Sequence, residues 1–175
     1  MKRILFIAIL FFGFSANAGV YVDPYLSYVM SGSYERGTTD EDVSGMFLGA
    51  RIGYGMLGLA FGVEYMISDG EVDMAGTNDL SHGSLGVFAA YELPILLRVY
   101  GTYFFDDSVE YDSGTSTSDF TGTGLKLGVG YTGLPFVSIN FEHYVATYDE
   151  ADGNALTNDV DYTVTMIGVS IPLSL

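Results

Sequence analysis

Five charged residues stand in the middle of apolar stretches: Arg51, Glu64, Arg98, Lys126 and Glu142. Groups of that kind, held away from water, either pass protons and ions along or neutralise one another. The two histidines are His82, in the run Ser81-His82-Gly83-Ser84, and His143. A serine beside an imidazole can do nucleophilic hydrolysis only when a carboxylate orients the ring. No other part of the chain sets a histidine close to a serine and a carboxylate, and even this run sits at the end of an apolar stretch. Both histidines are therefore expected to be rim residues without catalytic duty, and no catalytic residue is assigned. The absence of cysteine removes disulfides and thiolate metal sites. The acid-and-glycine cadence of residues 148–159 fails as a calcium loop, because with Gly153 at the invariant glycine the first ligand position is Tyr148. No metal and no cofactor is assigned.

The elements that would hold the five charges are strands. Met46, Leu48, Ala50, Ile52 and Tyr54 alternate with Gly49, Arg51 and Gly53. After a turn expected at Gly55-Met56, Leu57, Leu59, Phe61, Val63 and Tyr65 alternate with Gly58, Ala60, Gly62 and Glu64. Period two is the strand signature. In each strand the oily residues share one face, ending in tyrosine, while glycine and the charges share the other. A soluble barrel would gain nothing from a water-facing row of glycines. A transmembrane barrel needs this pattern, with apolar side chains toward lipid, aromatics at the interface and polar groups inside. Arg98, Lys126 and Glu142 fall on the inward parity as well. Arg51 is expected beside Glu64 across one hairpin, and Lys126 beside Glu142 across another. A mutually neutralising plug is expected rather than an ion path, since a lone charge there is costly and the interior of a small barrel is filled by side chains.

The pattern repeats along the chain. Further strands are expected over residues 21–33, 82–91, 97–105, 122–131, 136–148 and 162–173, which with the hairpin makes eight. Polar, acid-rich loops are expected at 34–43, 68–81, 106–119 and 149–161, alternating with short turns near 55–56, 92–95 and 132–135. Lys2 and Arg3, the apolar residues 4–14 and Ala16-Asn17-Ala18 form a secretory signal. Residues 1–18 are expected to be cleaved and 19–175 to form a single barrel domain. The formal net charge of −16 argues against nucleic acid, whose phosphates need a basic surface.

With these features the chain resembles the eight-stranded outer-membrane β-barrel superfamily, the class of the OmpA transmembrane domain and the OmpX and Ail type proteins. The resemblance rests on the signal peptide, the alternation, the loop asymmetry and a last strand running to Leu175. Members commonly end in Phe, part of the signal read by the barrel assembly machinery, and Leu175 departs from that. The resemblance implies a closed, antiparallel, up-and-down, all-β transmembrane barrel in the outer membrane of a Gram-negative envelope. It further implies extracellular loops, periplasmic termini and a monomer. Expected partners are outer-membrane lipid and lipopolysaccharide, the assembly machinery during biogenesis, and an extracellular ligand met through the loops. The expected role is structural or adhesion-like and not enzymatic. The alternatives are a lipid A-modifying enzyme, of which barrels of this size include examples, and a narrow ion channel.

Overall fold

A computed structural model describes residues 18–36, 39–72, 78–112 and 117–175. The expected signal segment lies outside these residues except for Ala18. Eight strands follow in order: β1 (Gly19–Arg36), β2 (Thr39–Met56), β3 (Leu59–Val72), β4 (Asn78–Leu93), β5 (Leu97–Asp112), β6 (Thr117–Tyr131), β7 (Ser138–Ala151) and β8 (Asn154–Ser170). Each is antiparallel to its chain neighbour, and β1 also pairs with β8, which closes the ring. Pro172 interrupts the last strand, because it offers no N–H. Pairing resumes at Leu173–Ser174 against Val22 and Tyr21. Closure leaves no free edge, so every strand finds its backbone partners within the ring.

The orientation of the faces decides what the barrel is. Leu48, Phe61 and Leu127 are 54%, 54% and 55% exposed, whereas Arg51 and Lys126 are 1% and 0% exposed. The oily face looks out and the charged face looks in. Tyr54, Tyr91 and Tyr131 stand on the outer side near the short turns, with Tyr28, Tyr65 and Tyr103 farther along the strands.

Three expectations need correction. The first turn is Leu57-Gly58 rather than Gly55-Met56, and Met56 pairs with Leu59. Both turn residues have positive φ, 54° and 79°, which is the two-residue hairpin geometry that matches strand twist. Phe136 belongs to the third turn, with φ of 63°, and not to a strand. The four acid-rich segments, expected to be loops, are in large part strand: β1 runs to Arg36, β3 to Val72, β5 to Asp112, and β7 to Ala151. Polar composition argued for loop, but a neighbour already in register supplies a ladder along which pairing continues, and such context overrides intrinsic strand preference.

The interior is layered. Tyr21, Ala60, Phe88, Ala90 and Tyr100 form an apolar cluster toward the short turns. A band of charges lies above it. Beyond that band, toward the long hairpins, comes a larger cluster built around Phe47, Met66, Phe104, Tyr144, Val164 and Met166. The interior is thus polar in the charged band and around His82, Ser84 and Asp107, and apolar between.

Candidate functional site

Six ionisable side chains meet in the charged band, three cations and three carboxylates. Arg51 and Glu64 are directly opposite each other on β2 and β3, their side chains 3.3 Å apart. The Arg51 guanidinium also reaches Asp23 on β1 at 2.8 Å and Glu142 on β7 at 2.7 Å. It is held between two aromatic faces, 4.1 Å from the Tyr100 ring centre and 4.5 Å from that of Tyr25. Inward glycines make room for those rings. A Cβ on Gly49 would stand 2.3 Å from the Tyr25 hydroxyl, and one on Gly128 would stand 2.3 Å from the Tyr100 ring.

Lys126 lies 3.7 Å from Glu142, but its nearer partner is Glu64, on the far side of the barrel. Tyr25 donates to Glu64 at 2.5 Å, and Thr102 donates to the same carboxylate. Ser27 and Tyr100 donate to Glu142 at 2.6 and 2.7 Å. Arg98 turns toward the short-turn end, where it pairs with Asp23 at 3.2 Å and donates to Ser170 at 3.1 Å. This corner is less completely satisfied than the rest. Asp23 Oδ1, Arg98 Nε and Ser138 Oγ have no hydrogen-bond partner among the described residues.

Asp23, near the start of β1, faces inward by the same parity as Tyr25 and Ser27. It completes the balance of three against three. All six side chains are at most 1% exposed. The band is therefore almost wholly desolvated. Buried charges persist only when paired and hydrogen-bonded, and here each has at least one opposite partner.

A second polar cluster sits in the larger apolar layer. His82, expected at the rim, is buried at 5% exposure and faces inward. Its Nε2 bonds to Asp107, lies 3.1 Å from Ser84 Oγ, and lies 3.3 Å from each of the hydroxyls of Tyr144 and Tyr148. Asp107 accepts from Ser84 at 3.1 Å and from Tyr144. Asp107 was expected in a loop, but an irregularity in β5 between Phe104 and Asp107 shifts the register. Phe105 and Asp106 both face out and Asp107 returns to the inside. A β-bulge of this kind re-aims the side chains that follow it.

Serine, histidine and aspartate thus come together, yet not as a catalytic relay. In such a relay the serine and the carboxylate address opposite ring nitrogens. Here both address Nε2, so the ring does not bridge Ser84 to Asp107 through its two nitrogens. His143, on the outer face of β7, is exposed and lies with Nδ1 3.1 Å from the Thr165 hydroxyl. Its sequence neighbour Glu142 points into the barrel, so alternation keeps the His143 ring apart from the inner clusters. A crevice of about 450 Å³ opens on the outer wall along Tyr65, Ile67, Ser81, Ser108, Glu110 and Asp119. Glu110 and Asp119 are directly paired across β5 and β6. Among the described residues no group of three or more His, Asp or Glu side chains is placed to hold a metal ion.

No protein-family model matches the chain, and no curated protein is similar to it. Solved structures are. The chain shares its fold with eight-stranded outer-membrane barrels. Neisserial surface protein A matches at 20% identity, over 88% of this chain and 97% of that one, with a TM-score of 0.60. Ail, the attachment invasion locus protein of Yersinia pestis, matches at 11% identity over 91% of this chain and all of that one, with a TM-score of 0.58. A second Ail structure, in complex with the heparin analogue sucrose octasulfate, gives 10% identity and a TM-score of 0.56.

Proposed function

We propose that the chain is an outer-membrane barrel closed to solutes, a rigid scaffold whose work is done by the acidic hairpins it displays outside the cell. One observation carries this reading: the interior holds a charge-balanced, desolvated set of ion pairs, while the exterior is a continuous apolar belt. Such a belt in water would expose far more contiguous apolar surface than a soluble monomer tolerates. In lipid it is the surface that holds the barrel in place. With the lumen filled, function falls to what projects beyond the membrane. The short turns at one end and long hairpins at the other support placing the hairpins outside and the termini in the periplasm. Closure leaves no strand edge, which favours a monomer, and insertion would depend on the barrel assembly machinery.

The hairpins carry a sign. Of the 22 acidic residues, Asp23, Glu64, Asp107 and Glu142 are buried in the barrel among the described side chains and Glu92 sits at a short turn; the other seventeen fall in the four hairpin segments, where Arg36 is the one basic residue. A surface of this charge suits a cationic partner, or divalent cations that bridge its carboxylates to lipopolysaccharide phosphates. Ail has been solved with a heparin analogue, a polyanion by its name. The hairpin charge here is of the wrong sign for such a ligand. An enzyme acting on lipid A is not supported by the His82 geometry, which lacks a free base for Ser84 and faces the inside.

The test is made with protein reconstituted in liposomes and offered polylysine. Retention is expected, falling on replacement of Asp149, Glu150, Asp152, Asp159 and Asp161 by amides. Retention unchanged by those replacements, or release of the native protein from envelopes by a wash without detergent, would contradict the proposal.

A further inference from the structure

The three short turns carry bulky apolar residues in a backbone conformation that such residues avoid. Leu57, Leu96 and Phe136 have φ of 54°, 61° and 63°. Left-handed backbone ordinarily takes Gly, Asn or Asp, and for a bulky residue it is an outlier. The long-hairpin end supplies an internal control. Asp152-Gly153 is a two-residue turn with φ of 50° and 73°, the same geometry as Leu57-Gly58 with 54° and 79°. The backbone is alike at both ends and the side chain is not. What differs is what the side chain meets.

None of the three meets a protein core. Leu57 is 50% exposed, Leu96 54% and Phe136 83%, and their neighbours Ile95 and Leu134 are 66% and 43% exposed. Glu92 is the one charged side chain among the three turns. The apolar belt runs into the turns without a polar gap: Met56 pairs with Leu59, and Leu93 with Leu97. On β5 the apolar outward residues reach from Leu97 to Phe105. At about 3.3 Å per residue and a tilt of about 40°, that stretch rises about 20 Å, whereas the apolar band of a barrel is about 25 Å tall. The turn residues supply the missing height.

We infer that the short-turn end is immersed in the inner leaflet, with Leu57, Leu96 and Phe136 packed among acyl chains rather than projecting into the periplasm. The inference rests on the membrane placement proposed above. Acyl chains are the occupant because the turns continue the lipid-facing belt and offer a protein partner no charge beyond Glu92 and no other polar side chain beyond Thr132.

The chain has no tryptophan, so each single substitution by Trp is a clean reporter. Leu57→Trp, Leu96→Trp and Phe136→Trp are reconstituted in vesicles of phosphatidylethanolamine and phosphatidylglycerol, and quenched by acyl-brominated lipid and by aqueous acrylamide. Ile95→Trp and Leu134→Trp repeat the test where no positive φ strains the new residue. Leu127→Trp in the belt and Asp152→Trp at the other end are the references. Turn reporters are expected to be quenched by brominated lipid to at least half the extent of Leu127→Trp, and to be several-fold less accessible to acrylamide than Asp152→Trp. Turn reporters that behave like Asp152→Trp while Leu127→Trp is quenched by lipid would overturn the immersion alone. Failure of Leu127→Trp itself to respond to brominated lipid would overturn the membrane placement and the immersion together.

Discussion

Two buried polar clusters occupy the same barrel and are stabilised in different ways. In the lower band three carboxylates face three cations, and the neutralisation is by opposite charge. In the upper cluster Asp107 faces the hydroxyls of Ser84, Tyr144 and Tyr148 and one imidazole, so it is held by donated hydrogen bonds. The first arrangement fills the middle of the barrel with paired, desolvated charge. The second orders the aromatic layer above it, since His82 packs edge-on to Phe47 with ring centres 5.6 Å apart. A charge-balanced set depends on every member, whereas a carboxylate in a cradle of hydroxyls can lose one donor and keep the others.

The largest effect should come from breaking the balance. Arg51→Met leaves three carboxylates against two cations and should cost about 3–5 kcal/mol. The measurement is urea unfolding in detergent, read from folded and unfolded bands on an unboiled gel. Adding Glu142→Gln to that variant restores the count and should recover part of the loss. If the double variant is as unstable as the sum of the two single ones, charge balance is not what holds the band.

The upper cluster should respond less, and unequally. Asp107→Ala strips the acceptor from several buried donors at once and should cost about 1–3 kcal/mol. His82→Phe keeps the ring and leaves Asp107 its hydroxyl donors, so a loss below about 1.5 kcal/mol is expected. Equal losses from the two would mean that His82 and Asp107 act as an ion pair, and the contrast between the clusters would disappear.

How much of this the sequence announces follows from where parity can be trusted. Arg51, Glu64, Arg98, Lys126 and Glu142 lie in unbroken alternation, so counting by two finds their side of the sheet. It does not find their partners. Lys126 meets Glu64 across the lumen, a contact set by the diameter and stagger of the ring rather than by hairpin neighbourhood. Asp107 defeats the count altogether, because the bulge after Phe104 reverses the parity beyond it. A signal was present in the acidic pair Asp106-Asp107, directly after Phe104-Phe105, where strict alternation already fails. The hairpin segments read as loops for a similar reason: their acids follow composition, while their ladders follow the neighbouring strand.

The smallest effect lies outside the barrel. Glu110 and Asp119 are like charges directly opposite on β5 and β6, a pairing that destabilises a sheet. Glu110→Gln should stabilise by a few tenths of a kcal/mol, about the size of such pairs, in low salt. The gain should vanish near 1 M salt, where the screening length is about 3 Å. A gain that survives high salt would have another cause.

Single-channel recording in a planar bilayer bears most directly on the blocked lumen. Folded protein is predicted to leave the current at the level of the bare membrane under an applied voltage, because the six side chains of the charged band exclude water. Reproducible, long-lived unitary steps from the native chain would contradict the account.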